Sequence, residues 1–257
     1  EMKAVLVAGG HGSRLLPFTR YTHKTLLPLH RRPVIDYALA TIRRSGIKDI
    51  TIIGNQFIGQ IAQHVGTGLP GENIHYVIEE EPMGVHHALN LARPHVEGSR
   101  ILIYFSDNIV TYELKKDVEA WKNSVDPPGC LLLGRTVDDP ERFGVAVFGD
   151  SEDIIDIIEK PTDPPSAVAI GGIYLYDENF WSIMDERYEN SQNGFTITEV
   201  NRHYLKNGKA TLVNIDEYQW LDCGTPDALL EASQLASEGK LSPEPSNLRE
   251  GDYLPES

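Results

Sequence analysis

Three glycines within four positions give this chain its clearest chemical feature. Gly9, Gly10 and Gly12 follow directly on an apolar run. Glycine has no side chain to shield its backbone N–H groups and adopts positive φ angles readily, so such a loop can cradle a phosphate chain. Arg14 and Lys24 come shortly afterwards and would neutralise the phosphate charge. These residues predict a phosphate-binding loop, and a plain tight turn is the alternative.

Two common phosphate-binding motifs do not match this loop. A P-loop closes with Gly-Lys-Ser/Thr, whereas this loop continues with Gly12, Ser13 and Arg14. A dinucleotide-binding motif needs a third glycine where Leu15 stands and an acidic residue at the end of a second strand. The nearest acid, Asp36, falls inside a predicted helix. An NAD-dependent oxidoreductase is therefore disfavoured.

Two aspartates are candidates for binding a divalent cation. Asp107 follows a predicted buried strand, Arg100–Phe105, so it should emerge at the same sheet edge as the glycine loop. Asp222 lies near the other end of the chain. Because Mg²⁺ beside a nucleotide usually takes one or two carboxylates plus phosphate oxygens, we predict that Asp107 and Asp222 bind Mg²⁺. A turn at Asp107 and a helix cap at Asp222 are the alternatives.

Two other polar segments could contact a nucleotide and a sugar. Glu159 and Lys160 directly follow a predicted strand, where a carboxylate could accept sugar hydroxyls and an ammonium could meet a sugar phosphate. A solvated ion pair is the alternative there. Glu79 precedes Gly84, whose missing side chain lets the backbone approach a flat base. Since an ionised carboxylate only accepts hydrogen bonds, Glu79 suits a base that presents N–H groups.

The elements that position these residues predict an α/β fold. Short β-branched runs alternate with helical patterns, which is typical of a Rossmann-like, mixed and mainly parallel sheet flanked by helices. Predicted strands are Lys3–Ala8, Ile50–Gly54, Ile74–Glu79, Arg100–Phe105, Cys130–Arg135, Gly144–Phe148, Ile154–Ile158, Ala169–Tyr176 and Thr211–Ile215. Predicted helices are Pro33–Arg44, Gln56–Val65, Val85–Arg93, Leu114–Asn123, Glu178–Arg187, Thr198–Lys206 and Pro226–Ala236.

The length of 257 residues suits one large domain, which we place at residues 2–236. From residue 237 to residue 257, Ser, Pro, Glu and Gly dominate. This composition predicts a C-terminal tail that lies loosely on the surface or serves an interface.

Composition excludes several kinds of partner. A formal net charge of −15 argues against nucleic acid polymers and anionic membranes, because both need a basic surface. The two cysteines, Cys130 and Cys223, lack a disulfide or metal-binding spacing, which is typical of a reducing compartment. No apolar run approaches the roughly twenty residues of a membrane span, and no signal-peptide pattern is visible. We therefore expect a cytoplasmic protein.

Taken together, nine collinear segments resemble the sugar-1-phosphate nucleotidyltransferases, with the strongest likeness to the glucose-1-phosphate thymidylyltransferase group. The resemblance covers residues 3 to about 236. The segments are Gly9–Leu15, Lys24–Pro28, Pro82–Gly84, Asp107–Ile109, Glu141–Val145, Glu159–Pro161, Gly172–Asp177, Ile197–Asn201 and Trp220–Thr225.

The resemblance implies transfer of a nucleotidyl group from a nucleoside triphosphate to a hexose 1-phosphate. An oxygen of the sugar phosphate attacks the α-phosphorus and displaces pyrophosphate, with Mg²⁺ as cofactor and no protein nucleophile. It also implies a nucleotide-binding half over about residues 2–110 and a sugar-phosphate-binding half over about 111–236. The implied catalytic residues are Arg14, Lys24, Asp107, Lys160 and Asp222. The implied nucleotide-binding residues are Ala8, Gly9, Gly10, Gly12, Glu79, Gly84 and Asp107. The implied sugar-phosphate-binding residues are Gly144, Glu159, Lys160, Gly172 and Trp220.

Three features depart from the family pattern. Thr25 follows Lys24 where relatives more often carry proline or glutamine. Glu79 stands where thymidylyl and uridylyl enzymes usually carry glutamine, and a carboxylate can accept two bonds from the N–H edge of guanine. The prediction is therefore dTTP and glucose 1-phosphate, with UTP or GTP as alternative nucleotides. The tail after Ala236 is shorter than in the longer members, which suggests a smaller homo-oligomer without their regulatory site. A non-catalytic protein that binds nucleotide sugars is the alternative from another class.

Overall fold

A computed structural model describes residues 1–245 of the chain. The strands are β1 (Met2–Ala8), β2 (Pro28–Leu29), β3 (Arg32–Pro33), β4 (Asp49–Gly54), β5 (Asn73–Ile78), β6 (Arg100–Phe105), β7 (Asn108–Val110), β8 (Cys130–Thr136), β9 (Gly144–Phe148), β10 (Ile154–Glu159), β11 (Val168–Tyr176), β12 (Ala210–Asn214) and β13 (Trp220–Asp222). The helices are α1 (Val34–Arg44), α2 (Ile58–Val65), α3 (Val85–Val96), α4 (Lys115–Asn123), α5 (Phe180–Glu189), α6 (Ile197–Lys206) and α7 (Pro226–Ser237).

Nine strands form one mixed sheet in which β5, β4, β1 and β6 run parallel. The long strand β11 pairs antiparallel with β6 and also with β8 and β9, and β10 closes that edge. The prediction of a mixed, mainly parallel sheet flanked by helices is confirmed. Because β1, β4, β5 and β6 are parallel, the segments that follow them emerge at one sheet edge.

Helices cover both faces of the sheet, and alternate residues of β1 serve the two faces. Leu6 packs with α1 and α4 in one hydrophobic cluster, whereas Val5 packs with α3, α5 and α6 in the other. A third cluster joins α7 to α1 through Val34 and Tyr37. The longest helices have only 12 residues, and no helix within residues 1–245 is long and apolar enough to cross a membrane.

The structure contains short strands that the sequence pattern did not predict. β7 and β13 pair antiparallel, so that Asn108 lies opposite Asp222. Each of these strands has only three residues, which is too short to show an alternating pattern. Helix α3 also continues past the predicted end at Arg93, through Pro94 to Val96. Pro94 lies in the last turn, where it removes one backbone hydrogen bond of the helix, and the helix ends two residues later.

The first part of the C-terminal tail does not lie loosely. Leu241 is buried in the cluster beneath α7. The Arg44 guanidinium donates to the backbone oxygens of Ser242 at 3.3 Å and Glu244 at 2.7 Å, and Arg32 pairs with the Glu244 carboxylate. For residues 238–245 the prediction of a loose tail is wrong, because one apolar side chain and two arginines fix the segment to α1 and the β2–β3 hairpin. Residues 246–257 lie outside the described part of the chain.

Candidate active site

The glycine loop leaves the end of β1 with two residues in the left-handed region. Gly10 has φ +86° and Gly12 has φ +61°, which L side chains rarely adopt. Asn55, just after β4, donates to the Gly10 carbonyl at 2.8 Å, and Thr19 donates to the Gly12 carbonyl at 2.7 Å. These bonds hold the carbonyls from outside the loop and define its shape before any ligand binds.

A buried histidine connects the end of β1 to the segment that carries Lys24. His23 Nε2 lies 2.6 Å from the carbonyl oxygen of Ala8, and the backbone N–H of Thr25 donates to His23 Nδ1 at 3.0 Å. Since a carbonyl can only accept, Nε2 carries the proton and the imidazole is neutral. Burial lowers the pKa of His23 to about 4, which agrees with this protonation state. His23 thereby fixes the position of Lys24 relative to the glycine loop.

We expect His23 to make the stability of the protein depend on pH. Its pKa falls from 6.5 to about 4 on folding, so between these values the unfolded chain binds more protons. The contribution is present above pH 6.5 and is lost as the pH falls through 4, by up to about 3 kcal/mol. His23→Gln should flatten this dependence, as measured by urea unfolding from about pH 7 to about pH 4. An equally steep loss in the variant would contradict the role of His23.

Arg14 and Lys24 lie on two sides of the loop. A Cβ at Gly10 would lie 3.8 Å from Lys24 Nζ, which places the ammonium beside the loop backbone. A Cβ at Gly224 would lie 2.5 Å from a terminal nitrogen of Arg14, so the guanidinium rests on the segment that follows β13. Arg14 therefore connects the glycine loop to the neighbourhood of Asp222. Burial and the Asp107 carboxylate raise the pKa of Asp222, and the positive charge of Arg14 opposes this rise.

The two predicted metal ligands lie together, although they are far apart in the sequence. Pairing of β7 with β13 aligns the segments, and the backbone N–H of Cys223 donates to the Asp107 carbonyl at 2.7 Å. Burial, and then the neighbouring Asp107 carboxylate, raise the pKa of Asp222 to about 6. Oδ1 of Asp222 is buried and has no hydrogen-bond partner within residues 1–245. A buried oxygen without a donor, beside a second carboxylate, fits a hard divalent cation.

A cavity of about 240 Å³ opens beside this carboxylate pair. Six of the predicted site residues line it: Asp107, Gly144, Glu159, Gly172, Trp220 and Asp222. The hydroxyl of Thr198 donates to Glu159 Oε2 at 2.5 Å and fixes this carboxylate. A Cβ at Gly144 would lie 3.2 Å from the same oxygen, so glycine is the residue that leaves room there. The cavity is thus lined by a carboxylate pair and by a third carboxylate that Thr198 fixes.

The remaining predicted residues lie around this centre. Glu79 is buried at the end of β5, and a Cβ at Gly9 would lie 2.6 Å from its Oε1, so the carboxylate rests on the glycine loop. Burial raises the pKa of Glu79, against the opposing charges of His87 and His11. Gly84, with φ +94°, begins α3. Lys160 is exposed and does not line the cavity, although its neighbour Glu159 does.

Sequence reasoning missed several residues that shape the site. Asn55 and His23 hold the glycine loop through backbone carbonyls, and Thr198 holds Glu159. Arg142 lines the cavity, where its guanidinium packs over Phe143 and pairs with Asp139. The collinear segments contained Arg142 and Thr198, but nothing in the sequence shows which of their side chains turn toward the cavity.

The amino-acid sequence is similar to those of known nucleotidyltransferases. A family model described as nucleotidyl transferase matches residues 3–239. A glucose-1-phosphate thymidylyltransferase of Xanthomonas campestris is 34% identical over 236 residues, covering 91% of this chain and 80% of the relative. The low-salt glycan biosynthesis nucleotidyltransferase Agl11 of Haloferax volcanii is 32% identical over 241 residues, covering 93% of this chain and 67% of the relative.

Solved structures agree with this comparison. A Bacillus anthracis protein described as a glucose-1-phosphate thymidylyltransferase superposes with a TM-score of 0.84 at 36% identity, covering 92% of this chain and 95% of that chain. A UDP-glucose pyrophosphorylase superposes with a TM-score of 0.79 at 21% identity and covers 94% of this chain and all of that one, which shows a shared fold. This chain therefore belongs to the nucleotidyl transferase family. The predicted class of enzyme, a sugar-1-phosphate nucleotidyltransferase, is confirmed.

Proposed function

We propose that this enzyme transfers the nucleotidyl group of dTTP to glucose 1-phosphate and releases pyrophosphate. The observation that carries the proposal is the convergence of Asp107 and Asp222 in a cavity that Glu159 also lines. The glycine loop lies near these carboxylates, because Arg14, which follows the loop, contacts Gly224. The names of the relatives from Xanthomonas campestris and Bacillus anthracis support dTTP and glucose 1-phosphate as the substrates.

In this proposal the protein positions two polyanions and offsets their repulsion. Lys24, Arg14 and the glycine-loop amides bind the triphosphate, while Glu159 accepts hydrogen bonds from hydroxyl groups of the hexose. Asp107 and Asp222 would hold Mg²⁺, which, when bound, neutralises charge on the transferring phosphoryl group. Lys160 is the proposed ligand of the sugar phosphate, and its exposed side chain has room to turn toward the cavity beside Glu159. A cytoplasmic location and a small homo-oligomer remain predictions.

Pyrophosphate release tests the proposal directly. The enzyme is given glucose 1-phosphate, Mg²⁺ and each of dTTP, UTP, GTP and ATP in turn, and steady-state rates are compared. We expect turnover with the highest kcat/KM for dTTP. Tight binding of a nucleotide sugar without pyrophosphate release would indicate a regulatory protein, and a strong preference for GTP would overturn the choice of base.

The carboxylate of Glu79 keeps GTP as a second candidate, because it lies on the glycine loop where a base edge would be recognised. Ionised, it can accept both N1–H and N2–H of guanine, but only N3–H of thymine. Glu79→Gln supplies one acceptor and one donor, which matches N3–H and an adjacent carbonyl of thymine. We expect this variant to raise the ratio of kcat/KM for dTTP to that for GTP by about tenfold.

Glu80→Gln is the matched control for this experiment. It makes the same chemical change at an exposed neighbouring position and should leave the dTTP to GTP ratio unchanged. If both variants behave alike, Glu79 does not contact the base.

A further inference from the structure

The side chain of Asn108 contacts a predicted metal ligand, Asp107, and two residues predicted to bind the sugar phosphate, Gly172 and Trp220. Its Oδ1 accepts from the indole N–H of Trp220 at 2.9 Å and from the backbone N–H of Gly172 at 3.2 Å. Its Nδ2 donates to Asp107 Oδ1 at 3.2 Å and to the Phe105 carbonyl at 3.0 Å. One amide group therefore contacts three residues that were predicted separately for the metal and the sugar phosphate.

These four bonds leave Asn108 only one orientation. A flipped amide would point its NH₂ group at two donors and its oxygen at two acceptors, so all four bonds would be lost. The side chain is only 7% exposed, and an unpaired polar group at that depth is destabilising. Close packing adds a second restraint, since a Cβ at Gly172 would lie 2.4 Å from Asn108 Nδ2.

Trp220 has supports that do not depend on Asn108. The Arg135 guanidinium lies 4.2 Å from the centre of the indole ring and donates to the Trp220 carbonyl. A Cβ at Gly171 would lie 3.0 Å from Cζ2 and Cη2 at the six-membered edge of the ring. The ring thus contacts both Arg135 and β11, and it also donates to Asn108. Trp220→Phe removes this hydrogen bond together with the edge of the ring that contacts Gly171.

We propose that Asn108 is a positioning residue that couples the Asp107 carboxylate to the Trp220 and Gly172 wall, so that cation binding and hexose 1-phosphate binding are set by one amide. The inference rests on the proposed function, because it takes Asp107 as a cation ligand and Trp220 as part of the sugar-phosphate wall. Asn108 also lines the cavity, and both polar atoms of its amide are already bonded to neighbouring residues. It acts by holding Asp107, Gly172 and Trp220 in place.

The experiment compares Asn108→Ala, Trp220→Phe and the double variant through two readouts. The first is thermal unfolding titrated with Mg²⁺ alone, which gives the concentration for the half-maximal shift in Tm. The second is the KM for hexose 1-phosphate at saturating nucleotide. Trp220→Phe should raise this KM at least about threefold and leave the Mg²⁺ midpoint unchanged, because the indole hydrogen bond and the contact with Gly171 are both lost on the sugar side. Asn108→Ala should raise both quantities, the KM by about tenfold.

The double variant should raise the KM by clearly less than the product of the two single effects, because the bond that Trp220→Phe removes is already absent in Asn108→Ala. A purely structural role predicts a different result, in which kcat and Tm fall while the KM and the Mg²⁺ midpoint stay constant. That result would overturn the proposal. An Asn108→Ala variant that changes only the KM would also overturn it, since Asn108 would then serve the sugar wall alone.

Asn108→Asp keeps the test decisive if Asn108→Ala does not fold. It retains the acceptor for Trp220 and Gly172 and replaces the group that donates to Asp107 and to the Phe105 carbonyl. We expect the Mg²⁺ concentration for the half-maximal shift in Tm to change, in either direction, at least about threefold. The KM for hexose 1-phosphate should stay within about twofold of the wild type. An unchanged Mg²⁺ midpoint would contradict the coupling. Failure of the proposed function is recognised separately, as absence of pyrophosphate release by the wild-type enzyme.

Discussion

Asp222→Asn is expected to lower kcat about a thousandfold and to leave the fold intact. The carboxylate lies beside Asp107, and its buried Oδ1 has no donor within the described residues 1–245, so a bound cation is its natural partner. An amide removes one negative charge from that pair and weakens cation binding. A loss of about a thousandfold corresponds to about 4 kcal/mol, within the range that metal stabilisation of phosphoryl transfer supplies.

The measurement is pyrophosphate release at saturating substrates, with circular dichroism to confirm the fold. Asp227→Asn provides the control, because it makes the same change at an exposed position in the first turn of α7. The control should retain nearly full activity. Activity of Asp222→Asn within tenfold of the wild type, at about the same Mg²⁺ concentration, would remove Asp222 from the metal-binding role.

When no divalent cation is present, we expect Asp222→Asn to stabilise the fold, although it lowers kcat. The pKa of Asp222 is raised from 3.8 to about 6, so between these values the folded protein binds more protons than the unfolded chain. Stability therefore falls as the pH rises through this window. We expect Asp222→Asn to be more stable than the wild type at about pH 7.5 in chelator, and the two to converge toward about pH 4. Added Mg²⁺ should stabilise the wild type and leave the variant unchanged.

The parallel half of the fold could be predicted because each of its strands is a run of six or seven mostly apolar residues. The strand Arg100–Phe105 was predicted with its observed bounds, and the segments after β1, β5 and β6 meet at one edge as a parallel sheet requires. The strands β7 and β13 could not be predicted, since three residues carry no periodicity. Yet it is their pairing that places Asp107 and Asp222 side by side.

The predicted residues that line the cavity have a chemistry or a missing side chain that is visible in the sequence, whereas the residues that were missed act through contacts made on folding. Carboxylates and lysines stand out in a sequence because their chemistry is obvious. Asn108, Thr198 and His23 act through hydrogen bonds to residues distant in the chain, so their roles exist only after folding. The docking of residues 238–245 was missed for the same reason. One leucine, Leu241, gives no sequence signal, although its burial fixes the segment.

Lys24→Met is expected to lower kcat/KM for the nucleoside triphosphate about a hundredfold. Lys24 Nζ lies beside the glycine loop, and His23 fixes the backbone that carries it. A charge-assisted bond to phosphate contributes about 1.5–3 kcal/mol, which is about tenfold to somewhat over a hundredfold in binding or rate.

Lys24 could act by long-range attraction of the triphosphate or by direct contact with its phosphates. Lys116→Met is the control that separates these two effects. Lys116 is exposed on α4, so its loss changes the net charge equally without touching the glycine loop. If Lys24 acts through direct contact, its variant should retain the defect at about 0.5 M salt, where the Debye length is only a few ångströms. A defect that vanishes at this salt concentration, or that Lys116→Met reproduces, would mean that Lys24 only attracts the substrate from a distance and does not bind its phosphates.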